Sequence, residues 1–352
     1  FVKVHFFKGS VIPLKEKNRI PYIDLLRCVA ACFVIAIHCL APYWNDFALF
    51  GSRSWWVCGL LNTPAKTGVP LFFMISGALL LSEPQSIGTG EFYRRRFSRL
   101  VLPFLFWNLL YFLAEKRCFD VHLFLSELAF RGSKYHLWFL YQIGAIYLFL
   151  PFLKKAVQNS TKKEVFLLFL ISIFPSTILR FLNLIQSRIY IFPFNNILEG
   201  YLGFFLLGYL LHSTDFTPGQ RRLIYILGLT GACLGLWGNA YFSSFGTLNL
   251  VFDEGYSIVQ FLTAGAVFLF TKEHETTMPP WLPVKAAALS RLSFGVYLNH
   301  ILVLECFWTL AGPSLGRLSI LGQVLCRFVF TLAASTALAA FSARLPLLRR
   351  TL

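Results

Sequence analysis

Three ionisable residues interrupt the first long apolar run of the chain, 21–41: Asp24, Arg27 and His38. A charged side chain at mid-bilayer depth costs about 2.5–3.5 kcal/mol on insertion scales, so groups retained there are functional candidates. Arg27 and His38 stand eleven residues apart. At 100° per residue they fall within about 20° of one another on a helix, about 16 Å apart along its axis. Asp24, one turn before Arg27, is placed to pair with it and hold it. A guanidinium near one membrane surface suits a phosphate, and an imidazole deeper in suits proton abstraction from a hydroxyl near neutral pH. Each residue also has a plainer reading. Arg27 can snorkel to the interface and His38 can make a helix-packing hydrogen bond. Their shared face weakens both.

A second basic element, Tyr93-Arg94-Arg95-Arg96-Phe97-Ser98-Arg99, precedes the third apolar run. Arg96 and Arg99 lie about one turn apart, and two guanidinium groups so placed suit a multiply charged phosphate ligand. The alternative is a topological anchor. At the opposite ends of the spans other polar groups gather. His136 and Trp138 open the fourth span, and Asn195, Asn196 and Glu199 open the sixth. Tyr297, Asn299, His300 and Glu305 lie along the ninth. Trp138 reads first as an interface anchor, although an aromatic ring there is also compatible with stacking on sugar, and Tyr297 is a ready partner for His300. Glu305 has two readings, a part in catalysis or simple neutralisation of Arg327 on the last span.

The elements that must position these groups are helices. Apolar runs fall near 21–41, 56–82, 100–115, 137–153, 165–182, 197–212, 223–242, 256–271, 292–310 and 320–343. Only helices and closed barrels satisfy their own backbone in lipid. The spacing predicts an all-α polytopic membrane protein of about ten transmembrane helices. The second run carries Pro64, Lys66 and Pro70. It is expected to divide into an interfacial segment and a shorter span from Val69 to Leu81. Arg27 and His38 argue against a cleavable leader, so the first run is read as a retained helix.

Composition agrees. Of 352 residues, 57% are hydrophobic and 14% charged, with a mean hydropathy of +0.63. A soluble domain needs more charged surface. The net charge of +16 lies in short loops between spans, as membrane topology produces, which argues against nucleic acid as a partner. With the N-terminus inside, twenty-one Lys and Arg fall on the inner side and nine on the outer. Both termini are therefore expected to face the cytoplasm. The organisation is a basic N-terminal segment (1–20), a ten-helix domain (21–343) and a basic tail (344–352). The eight cysteines show no CxxC and no zinc spacing, so no metal is expected.

In these stretches the chain resembles the bacterial acyltransferase family 3 of membrane-bound O-acyltransferases, on the enterobacterial common antigen O-acetyltransferase branch. Ile23-Asp24-Leu25-Leu26-Arg27 running on to His38 fits that family's Arg-X10-His motif, and Arg96-Phe97-Ser98-Arg99 fits its Arg-X-X-Arg motif. Val69 to Gly77, His136 to Leu140 and Ser293 to His300 match three further signatures in order, over about residues 20–343. The resemblance implies cytoplasmic acetyl-CoA as co-substrate and a cell-surface or lipid-linked carbohydrate acceptor on the outer side of the bacterial inner membrane. It implies His38 as catalytic base and Arg27, Arg96 and Arg99 as donor-binding residues. Asp24, Ser76 and His300 join the expected catalytic set. His136, Trp138, Glu199 and Tyr297 form the expected acceptor set. The fused extra domains frequent in that family have no counterpart here, so no recognition module names the acceptor. Acyl parking on Cys39 is disfavoured, because that side chain points about 100° away from His38. The rival reading from another class is a transporter or flippase of a lipid-linked saccharide, with the same polar helix face lining its path.

Overall fold

The computed structural model describes residues 19–83, 88–130, 132–185, 201–255, 257–346 and 348–351. Among these residues the chain is helical, with no strand. The helices are α1 (Pro21–Trp44), α2 (Arg53–Ala65), α3 (Gly68–Ser82), α4 (Thr89–Lys116), α5 (Val121–Phe130), α6 (Trp138–Gln158), α7 (Lys162–Ile185), α8 (Tyr201–Ser213), α9 (Pro218–Ser243), α10 (Ile258–Glu273), α11 (Trp281–Ser290), α12 (Ser293–Leu315) and α13 (Ile320–Ser342). Seven stretches among the described residues are long and apolar enough to cross a membrane: α1, α2 with α3, α4, the segment Tyr135–Gln158 that contains α6, α9, α12 and α13. The chain is a multi-pass membrane protein. The three remaining apolar runs of the sequence coincide with α7, α8 and α10.

The outer surface of the bundle is hydrocarbon. On α4, Val101, Leu102, Leu105, Leu109 and Leu113 are exposed at helical spacing, the stripe expected of a helix that faces lipid. Its opposite side buries Trp107, Asn108, Tyr111 and Phe112.

α1 is the central element, in contact with α2, α3, α11, α12 and α13. It buries Ile23, Leu26, Ala30, Val34 and Ile35, so its polar residues are held at fixed height and rotation. α3 lies against α8 with Gly77 and Gly208 at the crossing. A Cβ built on Gly77 would overlap the carbonyl of Phe205, and one on Gly208 that of Met74. Only glycine permits this approach.

The second apolar run divides as its prolines predict, with the break at Lys66 and Thr67. Thr67 Oγ1 closes the break by donating to the Pro64 carbonyl at 2.7 Å. The leading half, α2, is not a surface segment. It packs against α1, α9 and α13 and buries Trp55, Cys58 and Asn62. The Trp55 ring stacks on Trp44 at 4.2 Å. Asp253 joins α1, α2 and α9 at this end, accepting hydrogen bonds from Trp44 Nε1 at 2.6 Å, Asn62 Nδ2 at 2.7 Å and Asn239 Nδ2 at 2.8 Å. Lys66 lies 3.8 Å from the same carboxylate.

Candidate active site

A cavity of about 290 Å³ opens between α1, α3, α4, α6 and α12. Arg27, Arg96 and Arg99 line one end, and Phe139, Ile143 and Tyr297 line its apolar wall. Three guanidinium groups from two helices thus converge on a single space, although 69 residues of sequence separate Arg27 from Arg96.

The charge balance of this mouth is uneven. Asp24 is buried and lies 3.5 Å from Arg27 Nη1 and 3.7 Å from Arg19 Nε. It also accepts a hydrogen bond from Ser290 Oγ at 2.6 Å. This answers the expected Asp24–Arg27 pair. Fourteen residues of helix, about 21 Å, separate Asp24 from His38, so Asp24 stands at the mouth and not beside the imidazole. Asp24 positions Arg27. On α4, Glu91 takes Arg94 at 2.8 Å and Arg95 at 2.6 Å. Arg96 and Arg99 have no carboxylate partner among the described residues, and Arg96 lies over the Phe92 ring at 5.9 Å. Two guanidinium groups without carboxylate partners beside a half-compensated one have the chemistry to suit an anion of more than one charge.

Beyond the cavity lies a cluster of imidazoles. The His38 ring is 5.2 Å from that of His300 and 5.3 Å from Tyr135. His300 is in turn 5.1 Å from His136. His136 and His300 are buried, whereas His38 is partly accessible. His300 Nδ1 donates to the Tyr297 carbonyl at 2.6 Å, and His136 Nε2 reaches the Leu298 carbonyl at 3.4 Å. A carbonyl cannot donate, so each of these nitrogens carries the hydrogen. The other nitrogens, His300 Nε2 and His136 Nδ1, are buried without a hydrogen-bond partner. His38, the accessible member, makes no hydrogen bond among the described residues, which leaves its ring nitrogens open to a ligand.

Tyr297 connects the two regions. It lines the cavity, its ring lies 6.0 Å from His300, and its hydroxyl donates to the His136 carbonyl. The remaining expected residues divide. Ser76 lines the cavity, with its hydroxyl donating to the Phe72 carbonyl at 2.9 Å. Trp138 packs against Tyr201 at 5.0 Å and makes no ring contact with a histidine among the described residues. Glu199 lies outside the described residues.

The partner of Glu305 is not Arg327. Glu305 pairs with Lys134 at 2.8 Å, and Lys134 also reaches Glu115 at 2.5 Å. Burial works against the Lys134 ammonium, but Glu115 and Glu305 outweigh it and raise its pKa above the ordinary lysine value. This ion cluster pins the turn Tyr135–Leu137, which carries Tyr135 and His136, to α4 and α12. Sequence reasoning missed Lys134, Tyr135 and Tyr147, a residue of the cavity wall. Adjacency to His136 was the one signal for Tyr135. Nothing marked a single lysine at a span end.

A family model described as an acyltransferase domain matches residues 20–341, from the first turn of α1 to the end of α13. The chain belongs to this acyltransferase family. No curated protein and no solved structure matches it. For an acyltransferase the geometry of the site divides in two: a cavity with three arginines at one end and an apolar wall reaching Tyr297, and a histidine cluster that Tyr297 adjoins.

Proposed function

We propose that this acyltransferase moves an acetyl or other short acyl group from cytoplasmic acyl-CoA to a hydroxyl of a cell-surface or lipid-linked saccharide. In this reading ten spans place both termini in the cytoplasm of a bacterium, and the protein lies in its inner membrane. The CoA phosphates bind Arg27, Arg96 and Arg99, and the pantetheine arm enters the apolar passage towards Tyr297. The acceptor hydroxyl arrives at His38 from the other membrane surface.

His38 takes the hydroxyl proton as the oxygen attacks the thioester carbon. The carbon–sulfur bond breaks, the new ester leaves with the acceptor, and the CoA thiolate takes the proton back from His38. Charge is restored without a second co-reactant. The buried histidines support this step. His300 and His136 offer lone-pair nitrogens next to His38, which favour an orientation of its ring that presents an N–H to them and a free nitrogen to the substrate.

The observation that carries the reading is that one cavity joins the three arginines to Tyr297, and Tyr297 joins the histidine cluster. The test is acetyl-CoA affinity of the purified protein, of Arg96→Ala and of His38→Ala. Binding by the wild type, loss in Arg96→Ala and retention in His38→Ala without transfer is the expected pattern. No acetyl-CoA binding by a folded wild type returns the chain to the saccharide-transporter reading.

A further inference from the structure

Arg327, on α13, is 4% exposed. It makes no ion pair or hydrogen bond among the described residues, and its Nε is buried without a partner. Its guanidinium carbon lies over the Trp308 indole, 3.6 Å from the ring centroid, with the Tyr43 ring at 5.5 Å. Tyr43 in turn donates to Gln323 Oε1 at 2.6 Å. The other described arginines that lie near carboxylates take them: Arg19 and Arg27 share Asp24, Arg94 and Arg95 share Glu91, and Arg221 holds Glu273. Glu305, on α12, is already paired with Lys134.

Arg327 is remote from the donor mouth. Tyr43 lies sixteen residues beyond Arg27 on α1, and Trp308 fifteen beyond Ser293 on α12, which is about 22–24 Å of helix in each case. The polar face continues from Arg327 along α13 in steps of four through Thr331 and Ser335. Thr331 Oγ1, Ser335 Oγ and the facing Asn299 Oδ1 are all buried without partners. An unpaired guanidinium at this depth costs several kcal/mol. Contact with the indole face recovers part of that cost, but it supplies no acceptor for the N–H groups of the fork.

We propose that Arg327, over Trp308 and flanked by Tyr43, is a second anion site of the protein, on the membrane side opposite the donor mouth. It binds an oxyanion, phosphate or carboxylate, through the guanidinium edge. The oxyanion belongs either to a lipid headgroup or to a soluble or saccharide-borne group. Arg327 is a binding residue and takes no part in the proton transfer at His38.

The test is thermal unfolding in Arg96→Ala/Arg99→Ala protein, a background that weakens oxyanion binding at the donor mouth. One arm adds inorganic phosphate, against chloride at equal ionic strength, to protein in phosphatidylcholine nanodiscs. The other replaces part of the phosphatidylcholine by phosphatidylglycerol. The proposal expects a rise in Tm in at least one arm, and a loss of that rise when Arg327→Gln is added. A shift with phosphate alone assigns a soluble or saccharide-borne anion, and a shift with phosphatidylglycerol alone assigns a headgroup. Arg327→Lys, which keeps the charge but loses the fork, weakens the midpoint of the effect by about tenfold, or about 1.4 kcal/mol. It serves in place of Arg327→Gln should that variant not fold. No shift in either arm, or a shift unchanged by the Arg327 variants, overturns the proposal. The readout needs neither acetyl-CoA nor acceptor, so it stands or falls apart from acyl transfer.

Discussion

The ring of His38 on α1 and the ring of His300 on α12 face each other at 5.2 Å, inclined by 37°. In sequence they are 262 residues apart. Their relationship separates two roles: His38 is partly accessible and makes no hydrogen bond among the described residues, while His300 is buried and anchored by Nδ1 to the Tyr297 carbonyl. His38→Ala is expected to abolish transfer and keep donor affinity. His300→Ala is expected to lower kcat by tenfold or more with the donor KM little changed, because it frees the His38 ring rather than removing the base. Equal loss of donor affinity in both variants, measured by calorimetry, would place the histidines in the donor site and defeat this division.

Asp24 gives the opposite signature. It holds Arg27 at 3.5 Å and stands at the mouth, not at the histidines. Asp24→Asn is expected to raise the acyl-CoA KM several-fold and leave kcat nearly intact. A fall in kcat at saturating donor would restore Asp24 to the chemistry.

The α3–α8 crossing tests how the cavity wall is built. Gly77→Ala forces a methyl against the Phe205 carbonyl. Overpacking of this kind costs about 1–3 kcal/mol, and here the obstacle is backbone, which yields little. The variant is expected to unfold several degrees lower and to bind donor less well, since α3 carries Phe72, Ile75 and Ser76 of the cavity. A wild-type Tm would show that the two helices separate freely.

Lys134 makes a prediction in pH. Its folded pKa is raised by Glu115 and Glu305 against the opposing effect of burial. A group raised on folding stabilises the fold below its unfolded pKa, about 10.4 for lysine, and loses that contribution as pH rises through the folded value. The ion cluster is therefore intact at neutral pH. Lys134→Met is expected to lower stability by about 1 kcal/mol or less, because both carboxylates are half exposed and screened. Its larger effect falls on turnover, through the turn that carries Tyr135 and His136. Stability of wild type minus variant, followed from pH 8 to 11, should shrink towards the alkaline end. A constant difference would mean that the methylene stem, not the charge, does the holding.

Local sequence determined a good deal of this protein. The apolar runs fixed the helices, since lipid leaves the backbone no other open structure. Helical periodicity placed Arg27 and His38 on one face of α1, and one-turn spacing placed Asp24 beside Arg27 and Arg96 beside Arg99. Those are relations within a single helix, where the 3.6-residue repeat is enough. Relations between helices depended on the tertiary structure. Glu305 met Lys134 rather than Arg327, Trp138 turned to Tyr201 rather than to the histidines, and Tyr135 came to lie on His38. Such partners are set by crossings like that of Gly77 and Gly208, where backbone contact fixes the rotation of one helix against another. No periodicity along either sequence encodes that angle.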